Sequence, residues 1–215
     1  MAEGPRLRRP SFVRPERLEA IAEEFLREHH PGLAIPVPIE EIVEFRLGLN
    51  IVPFPNLKAE FDVDGFLTFV PTTIYVDQQQ MERHEARYRF TLAHEAGHWL
   101  LHRDLYADAG ITDLASYIAA YEAMDDGAQN DMEFQARNLG GRILLPKEPL
   151  VVALTEAFEP FRAKVPKTAD VRLVCARLAK LLGPRFNVSE QVVETRLVGD
   201  GLCEEVGLKK PPRTS

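Results

Sequence analysis

The sequence predicts an α+β fold: helices packed on a small three-stranded sheet, with a further helical unit at the C-terminal end. Two observations carry this. Three short β-like runs cluster between residues 49 and 76, and they alternate with segments whose apolar residues recur at helical spacing. The last third holds no comparable β-like run and reads as paired helices.

Residues 1–15 are basic and Pro-rich, an extended arm. From Pro15 to His30, Leu18, Ile21, Ala22, Phe25 and Leu26 share a helix face, with Glu19, Glu23 and Glu24 on the wet side. Pro31-Gly32 ends that helix. A short helix over 39–47 follows, stopped by Gly48. The strands are 49–54, 65–70 and 73–76. Helical spacing returns from Met81 to His102, where Phe90, Ala93, Gly97, Leu100 and Leu101 mark an apolar stripe. A polar connector is expected over 103–113, then helices over 117–124 and 130–145, with Asp125-Asp126-Gly127 as a turn and Phe134, Leu139 and Ile143 seating the second helix. A helix over 170–182 ends at Gly183-Pro184, and Ser189 caps another. The expected division is a domain over 1–150 and a helical unit over 151–215, whose last residues form a frayed tail.

With 215 residues, 45% of them hydrophobic, the chain can bury a sizeable core. Its formal charge of -7 disfavours general binding to phosphate backbones, so contact with nucleic acid is expected to be weak or missing. Neither a secretory leader nor an apolar run of membrane-spanning length is read, so a cytoplasmic protein without a membrane partner is expected. Cys175 and Cys203 lie far apart and form no CxxC pair, so no disulfide scaffold is implied.

The segment that carries chemistry is His94-Glu95-Ala96-Gly97-His98. Residues four apart on a helix lie on one face, so His94 and His98 can offer two imidazole nitrogens to a single zinc ion. Glu95 sits at the edge of that face and can take a proton from an activated water without ligating the metal. Gly97 removes bulk and lets another segment approach. The motif alone occurs by chance in some chains, but here it falls on a helix with apolar flanks. His102 lies eight residues from His94, about 12 Å along the same helix, too far to share the ion. The third ligand must come from elsewhere. Asp131 and Glu133 on the later helix are the candidates, and spacing favours Glu133.

Residues 87–102, Arg-Tyr-Arg-Phe-Thr-Leu-Ala-His-Glu-Ala-Gly-His-Trp-Leu-Leu-His, resemble the signature of the ImmA/IrrE family of metallo-endopeptidases. A second block, Glu133 to Pro146, resembles that family's Glu-x-x-Ala-Asn-x-Phe-Ala segment and its Leu-Leu-Met-Pro-like ending. Arg137, Leu139 and Gly140-Gly141 depart from the pattern, and the glycine pair suggests a local kink. The resemblance spans about residues 35–150. It implies a minimal thermolysin-like zincin fold, one zinc ion per chain held by His94, His98 and Glu133, and Glu95 as the catalytic residue. It also implies a protein substrate of the helix-turn-helix repressor class, cleaved in stress response or mobile-element regulation. The alternative is a sensing or binding module on the same fold, with a non-catalytic metal site. The C-terminal helices have a helix-turn-helix rhythm. Their would-be reading helix holds Glu190, Glu194 and only Arg196 as a cation, which reads as a structural cap.

Overall fold

The computed structural model describes residues 7–69, 72–166 and 169–207. The expected frayed tail from Lys209 onward lies outside the described residues. The chain divides into two compact units. One combines residues up to Pro31 with Pro38–Ile143, and the other combines Gly32–Val37 with the chain from Leu144 onward.

In the first unit an extended arm leads into α1 (Pro15–His29), which buries Leu18, Ala22, Phe25 and Leu26. α2 (Ile39–Glu41) widens into a π turn over Ile42–Arg46, and Gly48 supplies the positive φ of +67° at which the helix gives way to strand. The strands are β1 (Asn50–Phe54), β2 (Gly65–Phe69) and β3 (Thr72–Asp77), with the short α3 (Leu57–Phe61) between the first two. Their order is β1-β3-β2: β1 runs parallel to β3, and β2 antiparallel to it. The expected three-stranded sheet is therefore present, with β2 at one edge.

Where one helix was expected from Met81, two occur. α4 (Gln78–Arg83) and α5 (Glu85–Ala109) meet at His84, whose φ of -131° and ψ of 63° interrupt the helical backbone. α5 runs well past His102 and replaces the expected polar connector. Tyr106 and Ala109 are buried, so the extra turns gain packing, and Gly110 stops the helix at φ +66°. Around the motif α5 buries residues on most of its circumference, beyond the apolar stripe read from the sequence. α6 (Leu114–Glu122) begins with a capping box between Asp113 and Ser116. α7 (Asp126–Leu144) starts within the expected turn, because the Asp125 carboxylate accepts from the Ala128 N–H and opens a helix there. It is seated by Met132, Ala136, Leu139 and Ile143, all fully buried. Phe134, expected on that face, is instead 52% exposed.

α5 and α7 cross with their backbones touching. A Cβ on Gly97 would lie 2.8 Å from the Ala136 carbonyl oxygen, and a Cβ on Gly140 would lie 2.9 Å from the Ala93 carbonyl. The helix continues through Gly140-Gly141. Gly140 therefore serves the crossing, while Gly141 has nothing within 4 Å of its would-be Cβ.

The second unit contains α8 (Lys147–Phe158), a 3₁₀ turn over Glu159–Lys164, α9 (Val171–Phe186), α10 (Glu190–Gly199) and α11 (Leu202–Glu205). Pro184 does not end α9 as expected. The helix carries it for one more turn, burying Phe186, and stops at Asn187 in the left-handed conformation. Ser189 caps α10 as read, accepting from the Val192 N–H. Cys175 on α9 and Cys203 on α11 form a disulfide across 28 residues, contrary to expectation. Distance along the chain concealed the pair, because the turn after α10 returns the chain to the unit's core, where both cysteines are buried. Among the described residues no helix is long and apolar enough to cross a membrane.

The two adjacent glycines of α7 should respond oppositely to substitution. Gly140→Ala, which forces the crossing apart, is expected to cost about 1–3 kcal/mol despite its better helix propensity. Gly141→Ala is expected to be neutral or to stabilise by up to about 1 kcal/mol. Urea unfolding of the two variants checks this, and equal effects would show that the crossing is not tight.

Candidate metal centre

The crossing sets the metal centre's geometry. His94 and His98 project from α5 one turn apart, and Glu133 reaches them from α7. One donor atom from each lies within 4.8 Å of the other two. The closest approaches are tighter. His94 Nε2 and His98 Nε2 are 3.0 Å apart, His94 Nε2 and Glu133 Oε2 3.1 Å, and His98 Nε2 and Glu133 Oε1 3.5 Å. Donors bound at about 2.0–2.1 Å to one tetrahedral ion lie about 3.3 Å from each other. Two imidazole nitrogens 3.0 Å apart, with one oxygen of the Glu133 carboxylate turned toward each, therefore fit a divalent metal such as zinc, and they leave a fourth position open.

The charges match such a site. Burial works against ionisation of Glu133, but the neighbouring His98 and His94 outweigh it and hold its carboxyl far below the usual carboxylate range. Burial likewise opposes charge on His94, yet its bond to Glu133 and the proximity of Glu95 raise its pKa above the ordinary 6.5. Tyr121 Oη donates to Glu133 Oε1 at 2.8 Å, and Tyr106 Oη lies 2.7 Å from Tyr121 Oη. Since Tyr121 spends its proton on Glu133, Tyr106 is the donor in that second bond, and the two tyrosines orient the carboxylate.

Glu95 is 3% exposed, and its Oε2 is buried with no hydrogen-bond partner. Burial pushes its pKa up, against the pull of His94 and His98. A buried carboxylate oxygen without a partner is costly and rare, and beside three metal-type donors it is placed to accept a proton.

These groups open into a cleft of about 600 Å³, lined by His94, Glu95 and Glu133 and walled by Asp64, Gly65 and Tyr117. Gly65 begins β2, so the edge of the sheet borders the cleft. Arg87 pairs with Asp64 at 2.6 Å.

His102 lies outside the donor cluster, as its distance along the helix required. It is 1% exposed and contacts His98 and Gln135. Burial holds its pKa down at about 3, so it is neutral. Asp131 points away and pairs with Arg9 at 2.6 Å. Of the five tyrosines in the chain, Tyr117 and Tyr121 line the cleft, Tyr106 backs it, Tyr88 donates to Glu40, and Tyr75 stacks on Phe66. The support from Tyr121 and Gln135 left no signal in the spacing of residues. Gly140 was visible, but it was read as a weak point in its own helix and not as the counterpart of Gly97.

In the second unit, Arg196 of α10 is 4% exposed and pairs with Asp200. The lone cation of the would-be reading helix is thus turned inward.

Comparison with known proteins agrees with the fold. No curated protein matches the chain. A solved structure described as a Mycobacterium tuberculosis transcriptional regulator aligns with a TM-score of 0.54 at 17% identity, covering 86% of this chain and 47% of the other. The chain thus spans about half the length of that regulator, and at this identity the likeness concerns the fold alone. The family model described as the IrrE N-terminal-like domain, Peptidase M78, matches residues 49–198. That match includes α5, α7 and every residue of the donor cluster, and by it the chain belongs to the Peptidase M78 family.

Proposed function

We propose that the protein is a zinc-dependent endopeptidase of the cytoplasm, with His94, His98 and Glu133 as metal ligands and Glu95 as general base. The observation that carries this reading is the partnerless buried oxygen of Glu95 beside a donor triangle of tetrahedral size, inside an open cleft. A bound zinc ion would supply Lewis acidity, polarising the scissile carbonyl and acidifying the attacking water. Glu95 takes the proton from that water and later hands it to the leaving amine nitrogen. Glu133, held by Tyr121, completes the ligand set without sharing in proton transfer.

The family match supports a polypeptide substrate over a small molecule. Of β2 only Gly65 reaches the cleft wall, because Phe66, Leu67 and Thr68 are at most 1% exposed. As substrate class we propose a helix-turn-helix repressor. The resemblance of the two motif blocks supports this, and a regulatory setting agrees with the description of the structural neighbour. Nucleic acid is not the partner in this reading, since Arg196 is buried and the chain is acidic.

Glu95→Gln should keep the metal and lower cleavage of a helix-turn-helix repressor substrate by about 10²–10⁴-fold. Undiminished cleavage would leave a non-catalytic role for the site. Metal analysis should find one zinc per chain in the wild type and a sharp loss in His94→Ala, His98→Ala and Glu133→Ala. Unchanged zinc in all three would remove the ligand assignment. Because the pKa of His94 lies above 6.5 in the metal-free protein, protons compete with zinc from a higher pH than at an ordinary histidine. Zinc affinity should therefore fall as pH drops through that range. Calorimetry in buffers of different ionisation heat should detect proton release on binding, and a pH-independent affinity between 6 and 8 would contradict it.

A further inference from the structure

A line of polar contacts runs from the metal centre to the N-terminal arm. His98 Nδ1 lies 3.2 Å from His102 Nδ1, His102 Nε2 lies 3.3 Å from Gln135 Oε1, and Gln135 Nε2 lies 3.1 Å from the Ser11 carbonyl oxygen. The three side chains are 1%, 1% and 2% exposed, so water cannot substitute for a missing partner. The arm that brings Ser11 there is anchored. Leu7 is 2% exposed, Arg8 pairs with Asp108 on α5, and Arg9 pairs with Asp131 on α7. It thus joins the two helices that build the site.

The direction of every hydrogen bond in this line follows from its last member. A peptide carbonyl can only accept. Gln135 must therefore turn its NH₂ toward Ser11, which leaves its Oε1 toward His102. An amide oxygen also only accepts, so His102 carries its proton on Nε2 and presents a bare Nδ1 to His98. His98 must then carry its proton on Nδ1, and its Nε2, the atom in the donor triangle, keeps its lone pair for a metal.

We propose that His102 and Gln135 are positioning residues for the metal site, and that the Ser11 carbonyl of the N-terminal arm sets His98 in its metal-binding tautomer through them. The inference rests on the zinc-peptidase reading. Metal-bound histidines usually donate their second ring N–H to a carboxylate, a carbonyl or water. Here the acceptor is another imidazole, which can fill that role only while Gln135 fixes its tautomer.

The test uses the full-length chain, with zinc as the probe. Long-range ¹H–¹⁵N spectra of the histidine rings should show His102 as the Nε2–H tautomer in metal-free protein, and His98 as Nδ1–H once zinc is added. Zinc affinity, measured by chelator competition, should fall about 10–100-fold in Gln135→Leu and in His102→Phe. In Gln135→Leu the His102 signals should no longer report a single tautomer. Gln135→Met, nearer in shape, replaces the Leu variant if that one fails to fold. A His102 protonated on Nδ1 in the wild type would overturn the proposal, as would zinc affinities within twofold of wild type in folded variants. The ring spectra of metal-free protein decide the relay even if no zinc binds. Loss of the peptidase reading would show instead as missing zinc uptake, or as cleavage that survives Glu95→Gln.

Discussion

The site depends on how closely two helix backbones can approach. α5 supplies two donors and the buried carboxylate of Glu95, and α7 supplies the third donor. A glutamate side chain is short, so its oxygens reach both histidines only if the helices lie nearly in van der Waals contact. Gly97 against Ala136 and Gly140 against Ala93 permit this. The same contact packs Ala93, Ala96 and Ala136 in the core with no exposure. The distances within the donor triangle are thus fixed by main chain, which is stiffer than any arrangement of long side chains.

Around that frame the polar groups form two supporting chains. One runs from Tyr106 through Tyr121 to Glu133, the other from Ser11 through Gln135 and His102 to His98. Each ends on a different donor of the triangle, and each draws on an element outside α5 and α7. Glu95 stands apart from both chains, with its Oε2 unsatisfied. A buried carboxylate oxygen left without a partner beside the donor triangle is free to take a proton.

How much of this the sequence revealed differed from residue to residue. The two histidines were legible because an i, i+4 pair needs only a helix to converge. Glu133 was separated from Asp131 by spacing and by resemblance, and the structure shows the reason: Asp131 is turned to Arg9. The three strands were legible from short β-like runs between turn residues. The length of α5 was not, since most of residues 103–109 face solvent and only Tyr106 and Ala109 are buried, so that stretch read as a polar connector. The disulfide was hidden because sequence distance says nothing about which helices return to meet. Gln135 was hidden for a different reason: its importance comes from a backbone carbonyl 124 residues away.

The burial of β2 has a consequence for how a partner is selected. An open strand edge attracts any chain that is already extended, including unfolded chains of other proteins, and so invites misassociation. Here the strand is only five residues long, Phe66, Leu67 and Thr68 are at most 1% exposed, and the far end is closed where the Phe69 N–H donates to the Ile111 carbonyl. The near end, Gly65, meets the cleft beside Asp64 with its partners Lys58 and Arg87. The sheet is thus guarded against stray strands, and the choice of partner falls to the side chains that line the cleft.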